Sequence, residues 1–177
     1  MNDHILLLII AHPDDECMFF LPALTHFRKQ AYTLHVLCLS TGNAGGLGAI
    51  RRQELFYSCS VLGIERSSVT VIDDTRLPDG MAAAWPLEVV GKHVEAAIEK
   101  YSATTVLTFD NKGVSGHQNH ISTSQGVLYS IKKLRRDPSG QFTSVKLYML
   151  ATNGFLRKYI FPLDLFLFNL YGFESCL

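Results

Sequence analysis

His4-Ile5-Leu6-Leu7-Leu8-Ile9-Ile10-Ala11-His12-Pro13-Asp14-Asp15-Glu16 decides how the rest of the chain is read. Residues 4–10 read as a strand buried on both sides, as in a parallel sheet, because Ile5 to Ile10 are aliphatic throughout and have no polar face. The run ends abruptly in one imidazole and three carboxylates within five positions. Charge packed that densely beside a core is costly unless something compensates it. A divalent cation would do so, and His and Asp are competent zinc ligands. Pro13 fixes its own φ and biases His12 toward an extended conformation, which sets the direction of the carboxylates that follow.

Working outward, the chain alternates strand and helix patterns. Residues 16–29 read as a helix with Met18, Leu21, Leu24 and Phe27 on one side, starting late or kinking at Pro22. Strands are expected at 32–39, 68–72, 104–109 and 145–150. Helices are expected from Gly48 to Leu62 (with Gly63 as C-cap), over 87–101, and from near His117 to about Leu134. The alternation predicts a single α/β domain over 1–177, a Rossmann-like three-layer sandwich with a mainly parallel sheet. Ligands of such sheets collect at the carboxyl ends of the strands. The polar clusters His12–Glu16, Ser40–Asn43, Asp73-Asp74 and Asp110–His120 all fall there.

The composition narrows the function further. With 177 residues, 47% hydrophobic and 18% charged, the chain folds rather than staying disordered, and its net charge of +0 argues against a nucleic-acid partner. Lys132-Lys133-Leu134-Arg135-Arg136 reads as a solvated helix end. Four cysteines, Cys17, Cys38, Cys59 and Cys176, form no C-x-x-C pair, which argues against a thiolate zinc site, and a reducing environment is favoured. No apolar run reaches the roughly 20 residues that a spanning helix needs. Gly42-Asn43-Ala44-Gly45-Gly46-Leu47-Gly48 lacks the Gly-Lys-Ser/Thr ending of a P-loop and reads as a substrate loop.

The second chemical cluster is His117-Gln118-Asn119-His120. On a helix starting near His117 the i, i+3 pair shares a face. Catalytic zinc sites commonly take three protein ligands and leave a fourth position for water. His12, one of the aspartates and one of these histidines would supply the ligands. A second carboxylate would take a proton from the water, and the other histidine would face the developing oxyanion. Alone, an H-x-x-H is most often structural, and an Asp-Asp-Glu is most often a helix N-terminal charge cluster. Their joint placement at sheet carboxyl ends favours the metal site. His4, His26, His35 and His93 read as structural or solvated.

Ala11-His12-Pro13-Asp14-Asp15-Glu16 after a hydrophobic strand resembles the hallmark of the PIG-L/LmbE-like zinc deacetylases, and Gly116-His117-Gln118-Asn119-His120 resembles that family's second motif. Ser40-Thr41-Gly42-Asn43, Arg51-x-x-Glu54-Leu55, Leu62-Gly63 and Leu77-Pro78-Asp79-Gly80 fit in the same order, so the resemblance spans roughly residues 5 to 160. Phe109-Asp110, Gly113–His117 and Leu156-Arg157-Lys158-Tyr159 look most like its eukaryotic branch. The resemblance implies Zn²⁺ held by His12, Asp15 and His120, with Asp14 as general base and His117 stabilising the oxyanion. It implies Arg51 and Asp79 as sugar or inositol contacts and leaves Glu16 a structural role such as capping the next helix. The implied reaction is deacetylation of N-acetylglucosaminyl-phosphatidylinositol, the second step of GPI-anchor synthesis, at the cytoplasmic face of the endoplasmic reticulum.

Two departures qualify these expectations. The branch is expected to carry an N-terminal membrane helix that this sequence does not show, which leaves a cytosolic chain open. Relatives are also expected to continue past Leu177, so the domain is expected to lack the family's C-terminal portion. The alternatives are therefore a soluble N-acetylglucosamine conjugate as substrate, or an inactive short chain acting as a binding module. The apolar stretch Tyr159–Phe168 reads as core or dimer packing, with peripheral membrane contact as the functional alternative.

Overall fold

The computed structural model describes residues 4–136 and 144–152. Its strands are β1 (Ile5–Ile10), β2 (Thr33–Cys38), β3 (Val69–Val71), β4 (Thr105–Phe109) and β5 (Lys146–Leu150). The helices are α1 (Asp15–Met18), α2 (Leu21–Lys29), α3 (Gly48–Val61), α4 (Leu87–Tyr101), α5 (Gly113–Gly116) and α6 (Gln118–Arg135). Every described strand pairing is parallel, and the sheet order is β3-β2-β1-β4-β5.

The topology follows from the sequence pattern. β1 is the most apolar strand and takes the centre, where Leu6, Leu7, Leu8, Ile9 and Ile10 are all 0% exposed. From β1 to β2 to β3 the chain moves one way across the sheet, then returns to the other side of β1 for β4 and β5. Right-handed crossovers put the helices of the outward path on one face and those of the return path on the other. The result is the expected Rossmann-like three-layer arrangement. Indeed α4 and α6 pack together over β1 and contact β2 and β4. Their approach is close at Gly126, where an added Cβ would lie 2.2 Å from Val90 Cγ1. The topological switch lies between β1 and β4, the place where such sheets bind ligands.

Local signals explain most boundaries. α3 ends in a Schellman turn: Ile64 N–H donates to Cys59 O at 2.8 Å and Gly63 N–H to Ser60 O at 2.9 Å, with Gly63 at φ +68°. Lys132, Lys133 and Arg135 occupy the last turn of α6, as cations favour. The single helix expected over 16–29 is two helices. Pro22 sits in the first turn of α2, where its missing N–H is no loss. The break rotates the earlier residues out of register, so Met18 is 65% and Leu21 40% exposed while Phe20 is buried with Leu24 and Phe27. Leu156–Tyr159 and the apolar stretch Tyr159–Phe168 lie outside the described residues.

Candidate metal centre and hydrolytic site

The loop leaving β1 turns back on itself within three residues. Asp15 Oδ2 accepts the backbone N–H groups of Ala11 at 3.0 Å and His12 at 2.8 Å. That holds Asp15 against the strand end at 2% exposure. The turn passes through Asp14 in the left-handed region at φ 108°, an uncommon conformation for a residue with a side chain. It aims the Asp14 carboxylate outward, away from the buried Asp15. Two neighbouring carboxylates thereby occupy opposite environments.

α6 supplies the histidines. His120 Nδ1 lies 3.1 Å from the carbonyl oxygen of Gly113, so it donates its proton there and leaves Nε2 bare. That Nε2 is 3.2 Å from Asp15 Oδ1. The ring is stacked on Phe109 at 4.1 Å between centroids, which fixes its plane. His12 is fixed from its other end. Its Nε2 lies 2.9 Å from Asn119 Oδ1 and 3.1 Å from Asp79 Oδ1. Both are acceptors, because Asn119 Oδ1 also receives Gly80 N–H while its amide nitrogen donates to Ala83 O. The His12 proton therefore sits on Nε2 and Nδ1 is bare, 3.9 Å from Asp15 Oδ2.

Two bare imidazole nitrogens and one carboxylate thus converge in a buried pocket. His12, Asp15 and His120 are all buried and offer atoms within 4.8 Å of one another. Lone pairs facing a carboxylate repel it unless a cation lies between them, and this N₂O donor set suits a divalent zinc with one position left for water. A second group of similar compactness, His12, Asp79 and His117, has a different character. There His12 Nε2, 3.1 Å from Asp79 Oδ1, carries a proton, so this group offers one bare nitrogen fewer than the first.

The remaining expected residues meet around this centre. Arg51, on α3, donates through Nη2 to Pro13 O at 2.7 Å and Asp14 Oδ2 at 2.9 Å, and through Nη1 to Gly42 O at 2.8 Å. Asp79 Oδ2 is 3.7 Å from Arg51 Nη1 and accepts Ala44 N–H at 3.1 Å. Partial desolvation raises the half-exposed Asp14 carboxyl above the usual value; Arg51 opposes this and the neighbouring Asp15 adds to it. His117 caps α6, its Nδ1 accepting Asn119 N–H at 3.2 Å, which leaves the ring proton on Nε2. Burial first, then His12 and His120, hold its pKa below the ordinary histidine value. A cleft of ≈ 330 Å³ adjoins the centre, bounded by Ser40, Asn43, Asp74, Pro78 and Asp79.

Sequence reasoning gave no part to Asn119 or Ser58. Asn119 is 0% exposed and stitches the 78–83 loop to α6 behind His12. An amide in the middle of His117-Gln118-Asn119-His120 was its only signal. Ser58 donates to the buried carboxylate of Glu16, a contact 42 residues apart that no local pattern announces. Glu16 in turn accepts Asp14 N–H at 3.0 Å, so its expected capping role takes the form of a bond back to the N-cap residue.

The fold and the site define a Rossmann-like α/β domain with a candidate His/Asp metal centre at the switch point. Residues 7–131 match the PIG-L family, described as GlcNAc-PI de-N-acetylase, and the chain belongs to that family. It is 42% identical over 160 residues to the "Probable N-acetylglucosaminyl-phosphatidylinositol de-N-acetylase" of Schizosaccharomyces pombe, covering 90% of this chain and 61% of that protein. Against the N-acetylglucosaminyl-phosphatidylinositol de-N-acetylase of Bos taurus the identity is 39%, with 90% and 61% covered. The chain thus spans about three fifths of the length of these relatives, at 61%. Among solved structures, the N,N'-diacetylchitobiose deacetylase of Pyrococcus horikoshii superposes with a TM-score of 0.67 at 17% identity, covering 86% of this chain and 62% of that one. A 4-carboxy-2-hydroxymuconate hydratase from Pseudomonas putida gives 0.62 at 16%, covering 82% and 64%. These two likenesses concern the fold, and their different named reactions show that the fold alone does not choose the chemistry.

Proposed function

We propose that this chain is a zinc-dependent amidohydrolase that removes the N-acetyl group of N-acetylglucosaminyl-phosphatidylinositol, the second step of GPI-anchor synthesis. The observation that carries the reading is the pairing of a buried His12–Asp15–His120 donor set with an outward-facing Asp14 carboxylate one residue away. The family and its named relatives supply the substrate. A Zn²⁺ held by His12, Asp15 and His120 would polarise the acetyl carbonyl and acidify the attacking water. Asp14, whose carboxylate faces outward beside the donor set, accepts the proton of that water. His117, with its ring proton on Nε2, donates a hydrogen bond to the oxyanion as it forms, and the proton that Asp14 took from the water passes to the leaving amine. We assign Arg51 and Asp79 to the sugar or inositol side of the site. Asp79 has a second task there, holding the Nε2 proton of His12.

No helix of the described residues is long and apolar enough to cross a membrane. We assign the work of the chain to the cytoplasmic face of the endoplasmic reticulum, where its lipid-linked substrate would be met by peripheral contact. We read residues 1–177 as one deacetylase domain. The experiment is acetate release from N-acetylglucosaminyl-phosphatidylinositol by this chain, first chelated and then resupplied with zinc. Zinc-restored turnover is expected. Equal turnover of the lipid substrate and its free head group would move the assignment to a soluble conjugate, and no turnover beside an active relative would leave a binding role.

A further inference from the structure

Glu16 is 1% exposed, and a buried carboxylate needs partners to justify its charge. Among the described residues its bonds go to three groups, none of them in the donor set. Oε2 accepts the backbone N–H of Asp14 at 3.0 Å, and Oε1 accepts the Ser58 hydroxyl and, at 3.1 Å, the Cys17 thiol. Asp14 is the residue in the left-handed conformation at φ 108°. Such a conformation persists in a residue with a side chain only where its surroundings over-determine it. The same turn is held from its other side by Arg51, which binds Pro13 O and the Asp14 carboxylate. Arg51 and Ser58 are both on α3, seven residues and two helical turns apart, so they share one face.

We propose that Glu16 is a positioning residue for Asp14: braced by Ser58 on α3, it holds the Asp14 backbone in the left-handed turn that presents the carboxylate to the reacting water. The proposal rests on the assignment of Asp14 as general base and adds that α3 clamps this turn at two points, through Arg51 and through Ser58 by way of Glu16. The acid of the turn that touches neither zinc nor substrate then governs rate, and the Asp15 side of the turn, tied separately to Ala11 and His12, is left intact.

The test combines melting and kinetics on the whole chain. Glu16→Ala is made in the wild type and in an Asp14→Gly background, where glycine adopts the left-handed turn without help. Glu16→Ala is expected to lower Tm markedly more with aspartate at 14 than with glycine. In acetate release it is expected to reduce kcat by about 10–100-fold with KM and zinc affinity little changed, the size expected for a misplaced catalytic group. Glu16→Gln, whose amide oxygen still accepts Asp14 N–H, is expected to recover most of the loss, and Ser58→Ala to show a milder form of it. Equal Tm losses in both backgrounds, or a parallel loss of zinc affinity, would overturn the proposal. If the wild-type chain hydrolyses no substrate, the melting cycle still decides, so failure of the deacetylase assignment and failure of the brace are distinguishable.

Discussion

Asp14 and Asp15 are chemically identical neighbours that the backbone sends in opposite directions. Asp15 is buried, with two backbone N–H bonds and a histidine 3.2 Å away, whereas the Asp14 side chain is 52% exposed and paired with Arg51. Substitution should separate their roles. Asp14→Asn is expected to keep zinc affinity and lose about 10²–10⁴-fold in kcat, the range for a lost general base. Asp15→Ala and His120→Ala are expected to lose zinc affinity together with activity. Zinc titration beside kinetics checks this, and equal zinc loss in all three would reverse the assignment of the aspartates. Gly42 offers a second residue-scale test. It sits at φ +67°, and a Cβ there would fall 2.2 Å from Arg51 Nη1, in the space the guanidinium uses to reach Asp14. Gly42→Ala is expected to destabilise the chain by roughly 1–2 kcal/mol from the left-handed conformation alone. It should also lower kcat/KM by displacing Arg51, read from melting and initial rates.

At the scale of elements, most of what was legible in the sequence was periodic. The five strands, α3, α4 and α6 follow from apolar spacing and from punctuation such as Gly63, because those signals act within a few residues. The parts that were not legible are short. α1 is one turn, and α5 is one turn whose Val114 takes φ 61°, which no propensity favours in a β-branched residue. Both flank the site, and tertiary bonds impose them. Asp110 shows how. Its carboxylate accepts N–H groups of Lys112 and Gly113 and both the N–H and hydroxyl of Thr152, and Thr152 Oγ accepts Val114 N–H. Burial pushes the Asp110 carboxyl upward, but these bonds outweigh it and leave the pKa below the ordinary value. The folded state therefore holds this proton less tightly than the unfolded chain. The stabilisation is full above the unfolded value of about 3.9, shrinks as pH falls through it, and is gone below the folded value. Asp110→Asn is expected to lower Tm at pH 7, and the gap from wild type should narrow on acidification below about pH 4 in pH-scanned melting.

For the molecule as a whole, the sheet order is what turns two motifs 105 residues apart, at His12 and His117, into one site. β1 and β4 are neighbours with their carboxyl ends aligned, so the loops leaving them must meet. A cation seated there binds loops from both halves of the sheet and not the unfolded chain, so it should stabilise the fold. At zinc 100-fold above its dissociation constant the gain is about 2.7 kcal/mol. Calorimetry with chelator and then with zinc is expected to show a reversible rise in Tm that Asp15→Ala abolishes. No rise in the wild type would count against a metal in this donor set.

The sequence by itself determined the fold class, the strands and long helices, and the family, and it nominated the candidate list His12, Asp14, Asp15, Arg51, Asp79, His117 and His120. It could do so because buried strands, helix periodicity and dense polar clusters are local signals. Only the tertiary structure decided which nitrogen of each histidine is bare, that Asn119 and Asp79 accept from His12 Nε2, and that Ser58 donates to Glu16. Those are choices among hydrogen-bond partners far apart in the chain. Such partners exist for one another only after the crossovers have placed β4 beside β1 and α3 against the turn that follows it.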